Sequence, residues 1–487
     1  MNSELTKAKV ISSLIWKLLE RGGTQGIQFI VTIVLARLLL PEEFGLIVLV
    51  TIFITIAGVF IQSGFNTALI QKKNSDEVDF SSVFFLSLFV ASLLYIGLFF
   101  MAPIIATFFE EPQLKTVLRY QSLTLFFGAF NSIQIAVVSK NLEFKKLFIS
   151  SLGAMIISAT AGIMMAYAGF GVWSLVVQHL SNQLLVTIIL WFTVKWRPTL
   201  LFSFARIKTL FAFGWKVLVS SLLDTLYINL TSLFIGKMYS SATLGFYNRG
   251  EQFPKLIVSN INGSIQSVMF PTLSSHQDNI KRVKDIVRRS IVTSSFIVFP
   301  VMVGMAAVAE PLVNIVLTEK WLPAVPFLQI FCASYALWPI HTANLQAINA
   351  LGRSDIFLKL EIFKKLLGLV VIAISIPFGA YAMAFGVFVV SIISTFINAY
   401  PNLKLIDYRY REQWKDIIPS LILSIIMGMV VYSIQWIGMT EALTLIVQII
   451  VGIVIYIGLA KALRLECYTY LITTGKEMLK NKKRKAG

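Results

Sequence analysis

Runs of mostly apolar residues recur from one end of the chain to the other, each near the roughly 20 residues a helix needs to cross a bilayer core. Short polar, basic or Gly/Pro-containing segments separate them. The pattern predicts helical spans at 13–39, 44–70, 80–109, 116–138, 147–168, 171–193, 209–236, 243–273, 289–317, 325–350, 360–377, 379–400, 417–437 and 441–463. The fold class that follows is an all-α, polytopic integral membrane protein with about fourteen transmembrane helices. Span 8 (243–273) is polar for a membrane helix, and Pro377-Phe378-Gly379 supplies the break inside 360–400. Losing one or two of these would leave thirteen or twelve.

Composition agrees with that pattern. Hydrophobic residues make up 57% of the 487 and charged residues 14%, against about 45–50% and 25% in soluble domains. A soluble enzyme, a disordered chain and a nucleic-acid-binding domain are excluded. The net charge of +18 would suit nucleic acid, but the basic residues sit between the apolar runs. With the N-terminus inside, 32 of the 42 Lys and Arg fall in inner segments and four (Lys115, Arg119, Lys237, Lys320) in outer ones. That asymmetry places both termini in the cytoplasm. The basic cluster from Lys476 to Lys485 reads as a signal that keeps the tail inside. The first apolar run is long, amphipathic and lacks a small-residue cleavage site, so it is expected to stay as an anchor. Cys332 and Cys467 stand 135 positions apart and give neither a disulfide framework nor a metal-ligand spacing.

The chain repeats itself weakly but in order. Trp16-Lys17 recurs as Trp215-Lys216, Arg37–Gly45 matches Lys237–Gly245, Gln62-Ser63 matches Gln266-Ser267, and Phe170–Trp173 matches Phe378–Tyr381. The offset grows slowly from 199 to 208. Span 1 thus pairs with span 7, span 2 with 8 and span 6 with 12. Six helices separate partners, so the halves run the same way and form a parallel repeat about an axis along the membrane normal. The organisation predicted is an N-lobe over 1–208 (helices 1–6), a C-lobe over 209–401 (helices 7–12), and 402–487 holding helices 13–14 and the basic tail. Two such lobes suit a rocking transporter with substrate between them near mid-membrane.

Polar residues within the spans fall in stripes. Span 1 carries Lys17, Arg21, Gln25, Gln28 and Thr32, and span 7 carries Lys216, Ser220, Asp224, Tyr227 and Thr231. Both sets are spaced 4, 4, 3, 4, which puts each on one helical face. Span 8 adds Lys255, Ser259, Asn262 and Gln266 with Arg249 and Glu251 nearer its outer end, and span 2 adds Gln62 and Asn66. A charge at mid-span costs about 2.5–3.5 kcal/mol on insertion scales, so such groups face a bundle interior or a watery cavity. Spans 1, 2, 7 and 8 are therefore expected to line one aqueous cleft. Its bases (Arg21, Lys216, Arg249, Lys255) outnumber its acids (Glu20, Asp224, Glu251), which suits an anionic substrate such as a phosphate or diphosphate head group. Other readings stand beside this one. Lys17 and Glu20 would also snorkel, Arg37 and Lys237 would anchor at the outer interface, and Arg249–Glu251 or Lys216–Asp224 would form structural ion pairs. His179 and His341 suit proton-linked sites or satisfied interior positions. No Gly-rich phosphate loop, nucleotide cassette, Ser/His/Asp order or large external domain supports catalysis. No cofactor is expected, and the driving force is a substrate gradient, downstream consumption or a coupling ion, H+ or Na+.

Several segments resemble one family. They are Gly22–Phe29, Leu35–Leu39, Pro41–Gly45, Gln62–Phe65, Gly169–Trp173, Phe246–Arg249 and Phe270–Leu273. Together they resemble bacterial polysaccharide-transport flippases of the multidrug/oligosaccharidyl-lipid/polysaccharide (MOP) exporter superfamily. The resemblance implies two six-helix lobes in alternating access, often with two extra helices. It implies translocation of undecaprenyl-diphosphate-linked oligosaccharide units across the bacterial cytoplasmic membrane for lipopolysaccharide, capsule or related surface polymers. The lipid-linked oligosaccharide, the bilayer and the pathway's polymerase and glycosyltransferases are the partners it implies. By position the diphosphate contacts would be Arg21, Lys216, Arg249 and Lys255, of which Arg249 lies in a family segment. Alternatives within the superfamily are a peptidoglycan-precursor flippase and an ion-coupled multidrug exporter, whose cavity should be acidic. A membrane-embedded polysaccharide polymerase is the alternative from another class. It should carry a large external loop, whereas the longest connection, about 401–416, is inside and short.

Overall fold

The structure, a computed structural model, describes residues 7–62, 64–72, 75–473 and 477. Ser63, Lys73 and the basic cluster from Lys476 to Lys485, all used in the sequence reading, lie outside the described residues. Every regular element among them is helical. In chain order the long ones are α1 (Lys7–Leu38), α2 (Pro41–Gln71), α3 (Glu77–Phe109), α4 (Pro112–Asn141), α5 (Phe144–Tyr167), α6 (Val172–Thr193) and α7 (Phe204–Met238). They continue with α8 (Ser241–Ser274), α9 (Ile280–Ala307), α10 (Glu319–Ala350), α11 (Ser354–Ser375), α12 (Ala380–Ile406), α13 (Tyr410–Ile437) and α14 (Glu441–Ala462). Eleven helices among the described residues are long and apolar enough to cross a membrane. The remaining three, α1, α8 and α11, are the polar ones: α1 and α8 carry stripes, and α11 holds Lys359, Glu361, Lys364 and Lys365.

Several spans are interrupted. The α2 run breaks at Gly64, whose φ of +83° is open to glycine at little cost. A second break parts Pro112–Gln121 from Thr124–Asn141. Within α10, a 3-10 turn over Glu319–Ala324 precedes helices Val325–Ala336 and Trp338–Ala350. A short helix, Ala309–Leu317, follows α9. The expected loop over 401–416 is a correction: α12 runs on to Ile406 and α13 begins at Tyr410, so the connection is three residues pivoting on Asp407 at φ +48°.

The chain packs as two compact units, Met1–Gly245 and Phe246–Gly487. In the first, α5 packs on α1 and α6, and α7 lies against α2 and α3. The start of α7 is tied down by Arg206, 3.1 Å from Asp76, whose side chain also accepts the Asp79 backbone N–H and caps α3. Buried Asp79 is held by Lys72 at 2.5 Å. In the second unit α13 packs on α9, and α11 packs on α12. Isolated amides join its helices: Asn344 donates to Gln413 (3.0 Å), and Asn402 donates to Asn344 (2.7 Å). A fully buried polar network of this kind fixes one register among interchangeable apolar faces.

Two backbone contacts in the first unit depend on missing side chains. A Cβ at Gly45 would overlap the Ser241 carbonyl, with its carbon 2.5 Å away, and a Cβ at Gly245 would overlap the Pro41 carbonyl. Gly45 and Gly245, and Pro41 and Ser241, are partners in the sequence repeat. The contact is reciprocal: each glycine meets the carbonyl at the start of the other's helix. Toward the other end of α2, Gly64 meets Gly214, where a Cβ on Gly64 would lie 2.5 Å from the Gly214 carbonyl oxygen.

Candidate functional site

In the first unit the α1 stripe divides into two parts. Its deeper half is engaged: Gln28 donates to Thr32 (3.4 Å) and accepts from Gln178 of α6 (3.5 Å). Gln25 is half-buried, and its side-chain oxygen has no partner among the described residues. Arg21 is exposed, and its guanidinium makes no hydrogen bond or ion pair among the described residues. Lys17, one turn earlier, lies 5.1 Å from the Phe144 ring centroid, as a snorkelling lysine would.

The α7 stripe is more open. Lys216 and Asp224 are both exposed, and Tyr227 is half-buried. Lys216 has no ion-pair partner among the described residues. Eight residues on one helix span about 12 Å, too far for direct pairing with Asp224. Gln62 and Asn66 on α2 turn elsewhere: Gln62 covers Gly128 of α4, and Asn66 accepts from Ser132 of α4 at 2.9 Å. At the opposite edge Lys237 pairs with Glu110 (2.8 Å) and lies 5.1 Å from the Phe108 ring. Lys237 thereby holds the Glu110 carboxyl below its usual range, which fits the anchoring role.

In the second unit the α8 stripe is organised around an acid. Glu251 accepts from Lys255 at 2.9 Å and from the Tyr335 hydroxyl of α10 at 2.5 Å. Arg249 donates to Gln252 and lies 5.9 Å from the Trp321 ring centroid. Close approach at Gly250, where a Cβ would lie 2.6 Å from Phe327 Cβ, seats α8 on α10. Ser259 bonds back to Leu256 (3.2 Å), and Gln266 is exposed. Asn262 is buried with both amide atoms unpartnered among the described residues. An orphan amide at mid-stripe is where a polar ligand or water belongs. His341 is satisfied by Thr395 at 2.8 Å. Sequence reasoning missed Tyr335, Trp321 and Gln252. The two aromatics sit in apolar stretches with no periodic signal, whereas Gln252 stands beside Glu251 and was open to notice.

Chemically, this is a set of positioned cations and amides. Among the described residues no group of three or more His, Cys, Asp or Glu could hold a metal ion.

Comparison with known proteins gives one family. The model described as "Polysaccharide biosynthesis protein" matches residues 34–326, more than half of the chain. The succinoglycan biosynthesis transport protein ExoT of Rhizobium meliloti is 23% identical over 70% of this chain and 69% of its own. The lipopolysaccharide biosynthesis protein WzxC of Escherichia coli is 23% identical over 87% of this chain and 88% of its own. Among solved structures, the lipid II flippase MurJ in an inward closed conformation superposes with a TM-score of 0.74. It is 16% identical, with 95% of this chain and 100% of that one covered, and this likeness bears on the fold.

Proposed function

The chain belongs to the polysaccharide biosynthesis protein family, and from that premise we propose that it flips undecaprenyl-diphosphate-linked oligosaccharide units across the bacterial cytoplasmic membrane. It is a multi-pass membrane protein and a transporter, not an enzyme. The units feed a surface polysaccharide, and glycosyltransferases and a polymerase of the same pathway stand before and after the step. Alternating access runs between an N-lobe (1–208) and a C-lobe (209–401), with 402–487 appended. Arg21, Lys216, Arg249 and Lys255 meet the diphosphate. Gln25, Gln28, Gln62, Asn66, Asp224, Tyr227, Ser259, Asn262 and Gln266 line the polar path.

One observation carries the cargo's charge. Arg21 and Lys216, on spans that the sequence repeat pairs, are exposed cations on the polar stripes with no carboxylate partner among the described residues. Such cations are costly to insert and are kept for a ligand. Asn262 and Gln25 add unpartnered amide groups, which suit the sugar hydroxyls.

Proteoliposomes carrying the purified protein and an undecaprenyl-diphosphate oligosaccharide spread over both leaflets provide the test. Glycosidase outside the vesicles should cleave all of the glycan rather than half, and faster than in empty liposomes. Equal rates with and without protein, or equal transfer of an uncharged polyprenyl glycan, would sink the proposal.

The orientation has its own check. Cysteines at Ser275 and Glu319, both exposed, should be labelled by an impermeant maleimide from opposite faces, with Glu319 reached from outside. Labelling of both from one face would overturn the orientation.

A further inference from the structure

A cavity of about 730 Å³ opens in the second unit, away from the α8 stripe. It lies between the start of α9 and a helical segment, 466–473, that follows α14. Its size falls within the roughly 300–1,000 Å³ of small-ligand sites. Two features make it a formed pocket. Arg288 bridges Asp416 and Glu466, each at 3.0 Å, which fixes the 466–473 segment to α13 through α9. Cys467, buried, packs into the apolar cluster of Phe296, Leu423 and Tyr456.

The cations that remain face the cavity. Arg288 is consumed by its two carboxylates. Arg282 is exposed, with its side chain unpartnered among the described residues. Arg289 lies over Tyr470, 4.6 Å from its ring centroid, and is otherwise unpaired among them. Asp285 is the one lining carboxylate outside the Arg288 bridge, so the lining keeps a surplus positive charge. Hydroxyls complete it: Thr293, Thr469 and Thr473 line the wall, and the buried Thr293 oxygen lies against the Cys467 thiol. Just beyond Thr473 the sequence continues into Lys476, Lys480, Lys482, Lys483, Arg484 and Lys485.

We propose that this cavity binds a phosphate-bearing anion, with Arg282 and Arg289 on the phosphate oxygens and Thr293 supplying a hydroxyl donor. Arginine's planar fork matches phosphate oxygens in pairs. On the orientation above, the cavity mouth lies on the cytoplasmic face, where anionic lipid head groups attract polybasic segments. The phosphate comes from such a head group or from a free phosphate, and the site stands apart from the transport stripes.

Thermal unfolding of the purified full chain in detergent tests this, titrated separately with dihexanoyl phosphatidylglycerol, dihexanoyl phosphatidylcholine and inorganic phosphate. Saturable stabilisation by phosphatidylglycerol alone identifies the lipid source, and stabilisation by inorganic phosphate as well identifies the free anion. Arg282→Ala with Arg289→Ala should raise the half-saturating concentration about tenfold, the scale of a lost charge-assisted hydrogen bond. Thr293→Val should raise it less, and Arg353→Ala, whose arginine pairs with Asp355 elsewhere, not at all. Equal stabilisation by phosphatidylcholine, or unchanged titrations in both cavity variants, would overturn the proposal.

Discussion

Arg21→Ala and Lys216→Ala should each lower export of the lipid-linked glycan about tenfold or more, with membrane abundance and thermal midpoint unchanged. Tenfold corresponds to about 1.4 kcal/mol. That is a modest part of the roughly 4 kcal/mol between unit charges 4 Å apart at an effective dielectric of 20. Stability should hold because neither side chain has a partner among the described residues, so removing it strands no opposite charge. Lys255 should behave differently. It pairs with Glu251, which otherwise keeps the Tyr335 hydroxyl. Lys255→Ala should therefore lower abundance, and adding Glu251→Gln should recover abundance but not export. For Lys216 the corresponding double change with Asp224→Ala should rescue nothing. Surface polymer, membrane abundance and detergent melting are the measurements. Normal polymer in both Arg21→Ala and Lys216→Ala would remove the diphosphate assignment. Rescue of Lys216→Ala by Asp224→Ala would restore the ion-pair reading.

Long apolar runs made the helices readable, because a membrane span must satisfy its backbone internally and so has few alternatives. Expected and observed positions agree within a few residues from α3 through α6, and again at α14. Prolines misled little: Pro103, Pro300 and Pro419 all lie inside helices, where neighbouring groups re-satisfy the backbone. The helix ends near 401–416 were harder. Charged residues such as Lys404 and Arg411 look like loop, yet both are helical. The amide network of Asn344, Asn402 and Gln413 was invisible for another reason. Single amides in apolar runs have no period, and only the packing brings them together. In the polar stripes the repeat supplied the period, so Arg21 and Lys216 stood out. Which cations were paired could not be read: Glu251 was seen beside Arg249, but the structure gives it Lys255 and Tyr335.

Gly45→Ala and Gly245→Ala should each impair export severely, although neither glycine carries a group that could contact the cargo. At Gly45 the new methyl would overlap the Ser241 carbonyl, and at Gly245 the Pro41 carbonyl. Both obstacles are backbone, so no rotamer relieves them and the helix starts must separate. Overpacking of this kind costs about 1–3 kcal/mol. On the orientation proposed above, this contact closes the outer side. The Gly64–Gly214 contact lies toward the other end of α2, and in the alternating-access proposal it would close the inner side. A transporter that alternates must break one and remake it each cycle. A methyl at the outer contact would bias the protein toward its outward-open form and starve it of cargo from inside. Because the two glycines share one contact, the double variant should be little worse than either single one. Gly58→Ala, with nothing within 4 Å of the added carbon, should export normally. A cysteine at exposed Tyr239 reports the state: its labelling by an impermeant reagent from outside should quicken in either glycine variant. Full export with unchanged labelling would show that the glycine contact plays no part in closing the outer side.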